Sequence, residues 1–156
     1  MRYPAIDEAG DLTTMRDMTP DEIRHFMLDT VHTAKLATVR SDGRPHVAPI
    51  WFDMDGEVVV FNTDENSIKG KNIQRDGRVT LCVDEEKPPF AYVILEGNAQ
   101  IASPTPDELV YWAARIAGRY MGPNLAESYG KRNGVPGELL VRVTPTKIIA
   151  HANISD

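Results

Sequence analysis

The 156 residues are enough for one domain with a proper hydrophobic core and too few for two ordinary ones. Hydrophobic residues at 42% and charged residues at 26% are values of a globular rather than a disordered chain, and the net charge of -6 argues against a nucleic-acid surface, which usually needs a basic excess. No apolar run approaches the roughly 20 residues that span a bilayer, so no membrane contact is expected.

Residues 1–18 mix acids with apolar residues and lack the basic-then-apolar order of a signal peptide. They read as an arm that folds only against something else, preceding a single domain at 19–156, and the expected location is cytoplasmic. Thr19-Pro20-Asp21-Glu22 opens a helix: Thr19 caps it, Pro20 suits the first helical position and Glu22 completes a capping box. Ile23, Phe26, Met27, Thr30 and Val31 then recur at helical spacing. The rhythm next changes to strands, predicted over 35–40, 46–53 and 57–63, with turns at Ser41-Asp42-Gly43-Arg44 and Met54-Asp55-Gly56. The unbroken run Val58-Val59-Val60-Phe61 implies burial on both faces.

A short helix is predicted over 67–75, then strands over 78–84 and 90–102 separated by Pro88-Pro89. Thr105-Pro106-Asp107-Glu108 repeats the capping box, and a helix follows until Gly122-Pro123 stops it. A second helix at 126–132 and a last strand, 138–144 continued at 147–151 past a Pro145 kink, complete the chain. Six strands in hairpin order with helices over the ends predict an α+β, mainly β protein built on an antiparallel barrel. Cys82, the sole cysteine, allows no intrachain disulfide and is read as a small core residue. The four histidines have no metal-binding spacing, so no metal is expected, and no hydrolase elbow, Walker loop or dinucleotide fingerprint is present.

The segment Ser67-Ile68-Lys69-Gly70-Lys71-Asn72-Ile73-Gln74-Arg75 carries three cations and no anion in an acidic chain. Lysines near a helix N-terminus oppose the macrodipole at about 0.3–1 kcal/mol each, a placement that makes sense where an anion binds. A solvated surface helix with incidental lysines accounts for the same residues. Pro49, inside a strand, belongs at an edge or bulge; it suits either a strand guarded against aggregation or one whose free backbone groups face a ligand.

Phe61-Asn62-Thr63, Asp64-Glu65-Asn66 and Ser67-x-Lys69-Gly70-Lys71, with 43–51 upstream and 75–79 and 95–99 downstream, together resemble the pyridoxine 5'-phosphate oxidase superfamily. The resemblance covers roughly 30–101, and its pattern is closer to the actinobacterial coenzyme F-420 (deazaflavin) branch than to the true oxidases. It implies a six-stranded split β-barrel and a homodimer with the cofactor at the two-fold interface. It further implies hydride transfer between F-420 and a small organic substrate. Lys69 and Lys71 would be phosphate ligands and Ser67 a hydroxyl donor, with Thr63 and Asn72 nearby. Pro49, Ile50 and Trp51 would approach the ring, Phe90 and Tyr92 would line the pocket, and 119–122, 129, 132–133 and 136–138 would lie near the cofactor. Ile68 stands where the oxidases carry an Arg, and their C-terminal arginine motif has no counterpart in 151–156; both departures point away from tight FMN binding and vitamin-B6 oxidation. The alternatives on the same fold are an FMN-dependent reductase or oxidase and a non-catalytic flavin- or haem-binding protein.

Overall fold

The computed structural model describes residues 5–6, 12–13 and 15–155. In chain order the elements are β1 (Ala5–Ile6), β2 (Leu12–Thr13), β3 (Arg16–Asp17), α1 (Pro20–Leu28), β4 (Ala34–Val39), β5 (Pro45–Ile50), β6 (Asp53–Asp55), β7 (Val58–Asp64), α2 (Ile68–Arg75), β8 (Arg78–Glu85), β9 (Ala91–Ile101), α3 (Pro106–Met121), α4 (Pro123–Asn133) and β10 (Glu138–Ala152). Both predicted capping boxes are present. The Glu22 amide donates to the Thr19 hydroxyl and the Glu108 amide to that of Thr105, while each glutamate accepts from the capping residue's amide.

β5-β4-β8-β9-β10-β7-β6 form one antiparallel sheet, with β3 added against the end of β10 as its eighth strand. β10 is 15 residues long, so its first half pairs with β7 while most of its length runs along β9. The two ends of the path, β5 and β6, are successive pieces of one chain separated only by Trp51 and Phe52. The sheet must therefore curl back on itself, which makes a mainly β, α+β split barrel.

Apart from the separate β1–β2 pair, the sheet has eight strands rather than the expected six, for two reasons. β3 adds a short strand from the arm, and the stretch expected as one strand over 46–53 is broken at Trp51-Phe52 into β5 and β6. Phe52, wholly buried, takes its hydrogen bonds at this corner from side chains of α3 rather than from a ladder.

Inward residues of alternate parity fill the barrel: Leu36, Phe52, Val59, Phe61, Leu81, Val83, Val93, Leu95, Val141 and Val143. Each such side chain contributes about 1.5–3 kcal/mol on leaving water. The run in β7 is two-sided, as its sequence implied: Val59 and Phe61 join this core, whereas Val60 packs outside it with Leu109 and Leu140 beneath α3. Cys82 departs from expectation. The same alternation sends Leu81 and Val83 inward and leaves Cys82 half-buried on the outer face, opposite Lys35 and Ile94, where burial and then Asp84 push its thiol up.

α3 is pinned to the barrel by Arg115, whose guanidinium donates to the buried Asp53 carboxylate at 2.9 Å. α4 lies close along α3 because a Cβ on Gly130 would stand 2.7 Å from the Ala114 Cβ, and one on Gly134 2.6 Å from the Val110 Cα. This close hairpin brings the end of α4 back to the barrel corner.

Candidate cofactor site

A cleft of about 270 Å³ opens between the end of β5, the middle of α3, the end of α4 and the start of α2. Pro49, Ile50 and Trp51 form one wall, Ala113, Ile116 and Ala117 the apolar floor, and Asn62, Lys69 and Asn133 the polar side. β5 is an edge strand, paired among the described residues only with β4, and Pro49 sits exposed on it opposite Lys35. The Trp51 ring stacks on Tyr120 with centroids 5.1 Å apart and planes 5° apart, and meets Tyr129 at 6.0 Å.

α2 is set in place by its first turn. Ser67 caps the helix: its hydroxyl accepts from the Gly70 amide at 3.0 Å, donates to the Asp64 carbonyl at 2.7 Å and lies 3.1 Å from the Thr63 hydroxyl. Gly70 is required by contact, since a Cβ there would lie 2.3 Å from the Asp64 carbonyl oxygen. The buried Asn72 amide donates to the Thr38 hydroxyl at 2.9 Å, tying the helix to β4. Thr63, Ser67 and Asn72 thus hold the helix that presents Lys69.

The two lysines differ. Lys69 is half-buried and lines the cleft, and Lys71 is exposed outside it. The first turn of α2 contains no acid, and neither lysine forms an ion pair among the described residues. An opposing charge is Glu138 of β10, which feels the Lys69 charge and whose carboxylate accepts from the Asn62 side chain at 2.9 Å. Burial pushes the Glu138 carboxyl up from its ordinary value, while the Asn62 hydrogen bond and the Lys69 charge pull the other way. The cleft therefore combines an aromatic wall, a shallow apolar floor and one unpaired ammonium at a helix start, a donor set suited to a planar ring system bearing an anionic group.

Phe90 and Tyr92 lie elsewhere in the chain. Tyr92 meets His151 edge-on at 5.4 Å, and Phe90, with a left-handed φ of 53°, accepts through its carbonyl from the Ile154 amide at 3.1 Å. Neither lines this cleft within one chain. Asn62 and the α3 floor are not among the site residues expected from sequence, whereas Glu138 and Asn133 fall in stretches that the resemblance places near the cofactor. Asn62 carried a usable signal, a polar residue closing the apolar run of β7, whereas Glu138 is 76 residues away and reaches the site only through strand pairing. Among the described residues no group of three or more His, Cys, Asp or Glu side chains gathers to hold a metal.

The fold has solved counterparts. A conserved hypothetical protein from Mycobacterium tuberculosis superposes with a TM-score of 0.76 at 24% identity, over 88% of this chain and 87% of that one. A protein described as an F420 reductase matches at 27% identity and a TM-score of 0.64, over 80% of this chain and 94% of its own. The haem storage protein of Vibrio cholerae shares the fold at 17% identity and a TM-score of 0.68, over 85% and 94%. The sequence family described as pyridoxamine 5'-phosphate oxidase matches residues 19–152, nearly the whole chain, and the protein belongs to that family.

Proposed function

We propose that this protein is a cytoplasmic oxidoreductase that binds coenzyme F-420 and passes a hydride between it and a small organic substrate, working as a homodimer. The observation that carries the reading is Lys69: a half-buried ammonium without an ion pair among the described residues, at a helix start, on the polar side of a cleft walled by Trp51. The 27% identity to an F420 reductase supports it.

The residues present fit the group. Lys69 would hold its phosphate, with the amides of Ile68 and Lys69, which have no partner among the described residues, beside it, and Lys71 would add longer-range charge. Pro49, Ile50 and Trp51 would bound the ring, with Ala113 and Ala117 leaving room for it on the opposite side. The cofactor itself supplies the hydride chemistry, so the chain's own task is to bind, orient and exclude water. At about 270 Å³ the cleft is smaller than the roughly 300–1,000 Å³ usual for small-molecule sites and takes only one end of such a cofactor. A second copy covering the remainder accounts for this, and Phe90 and Tyr92 would then reach the cofactor only across the two-fold.

FMN shares the phosphate and a related ring, so the same cleft supports an FMN-dependent enzyme as the second reading. Titration of the apo-protein with F-420, FMN and haem distinguishes the cases. F-420 binding at least about tenfold tighter than the other two is expected, a difference of about 1.4 kcal/mol. Tight FMN with weak F-420 binding would move the protein to the second reading, and tight haem binding alone would remove the oxidoreductase.

A further inference from the structure

The barrel corner at Trp51-Phe52 is held by side chains that come from the far end of α3. The Phe52 amide donates to the Tyr120 hydroxyl at 3.3 Å, and the Phe52 carbonyl accepts from the Arg119 guanidinium. Consecutive residues of one helix thus bond both halves of the residue that interrupts the strand. The same pair reaches further. Tyr120 donates to the His32 carbonyl at 2.7 Å, and Arg119 donates at 2.9 Å to the Met27 carbonyl in the last turn of α1, where helix carbonyls lack partners of their own. Arg119 also lies over the Phe52 ring at 5.0 Å. The Tyr120 ring completes the arrangement by stacking flat on Trp51, the wall of the cleft. Burial pushes the Tyr120 hydroxyl up from its ordinary value of 10, so it stays a protonated donor through the neutral range.

We infer that Arg119 and Tyr120 are positioning residues for the cleft: by clamping the Phe52 peptide and backing the Trp51 ring, they fix the aromatic wall against which the bound ring lies. This rests on the cofactor reading of the cleft. The corner has no ladder bonds to hold it, so without the clamp Trp51 is free to swing while the barrel on either side stays paired. The helix that supplies the clamp also supplies the floor through Ala113, Ile116 and Ala117. The distance between wall and floor is therefore set within one rigid element, which favours a flat ligand of fixed thickness.

The test uses Trp51 as its own probe. The protein has two tryptophans, and Trp112→Phe leaves Trp51 as the sole indole. In that background Tyr120→Phe keeps the stacked ring and removes the hydroxyl. Trp51 emission should move to the red, its quenching by acrylamide should rise, and affinity for F-420 and FMN should fall about tenfold, the scale of one lost buried hydrogen bond. Arg119→Lys keeps the charge but presents a single ammonium where a fork bridged two carbonyls, and it should change the same readouts in the same direction. Tyr111→Phe removes another hydroxyl from α3, one that accepts from Arg115 at 3.2 Å, and should change none of them. Folded Tyr120→Phe and Arg119→Lys proteins with parental emission and quenching would overturn the clamp; if Tyr120→Phe does not fold, Arg119→Lys decides alone. A freed Trp51 with unaltered affinity would uphold the clamp and count against the cofactor reading instead.

Discussion

Replacing Lys69 by Ala separates the proposed role of α2 from ordinary surface charge. The side chain has no ion pair to lose among the described residues, and it sits in the first turn of a helix with no acid nearby in that turn. Stability should therefore stay within about 1 kcal/mol of the parent, and any change should be a gain, from relief of the unfavourable macrodipole contact. Binding should respond very differently. A half-buried ammonium donating to a phosphate makes a charged hydrogen bond of about 1.5–3 kcal/mol, so affinity for F-420 or FMN should fall about ten- to a hundredfold. Lys71→Ala supplies the comparison, because its exposed ammonium acts through water and salt and should cost at most about fivefold. Calorimetric titration of the three proteins at physiological salt, with thermal melting alongside, gives both quantities. The reasoning is refuted if Lys69→Ala binds like the parent, or if Lys71→Ala loses as much as Lys69→Ala does.

Three other outcomes are expected. Gly70→Ala places a methyl 2.3 Å from the Asp64 carbonyl oxygen, so α2 must shift; a loss of about 1–3 kcal/mol in urea unfolding together with weaker cofactor binding is expected, and unchanged stability would contradict the packing described. Glu138 has its carboxyl raised by burial, so its native protonated form is favoured and the stability it contributes is lost as pH rises through the native value. Glu138→Gln should thus be more stable than the parent at neutral pH, lose that advantage below the carboxyl's ordinary 4.5, and bind phosphate-bearing ligands more tightly by removing an anion near Lys69. Glu22 is held at about 2 by the Arg16 guanidinium and the Thr19 amide, so its contribution is present above 4.5 and disappears as pH falls toward about 2. Protection of the Thr19 and Glu22 amides, measured relative to their intrinsic exchange rates, should fall across that window, and Glu22→Gln should abolish the dependence.

The elements themselves were legible in the chain because their signals are local. Two Thr-Pro-x-Glu boxes opened helices where side chain and backbone cap each other within four residues, and the Val58 to Phe61 run announced a strand buried on both faces. The helix that carries Lys69 and Lys71 was also visible, but its two lysines were read alike. Lys69 shares a face with the buried Ile73 four residues on, whereas Lys71, two positions away, does not, since residues two apart point to opposite sides of a helix. Tertiary structure alone decided the rest. Residues 46–53 carry no mark of a break between Ile50 and Asp53; the corner exists because hydrogen bonds from α3, across 67 and 68 residues, take over the Phe52 peptide. Glu138 joins Asn62 through the pairing of β10 with β7, and Phe90 and Tyr92 lie away from the cleft for the same kind of reason. Helix caps and strand alternation are fixed by neighbours in sequence, but a cleft is assembled from contacts between residues far apart in the chain, and no local pattern carries their distances.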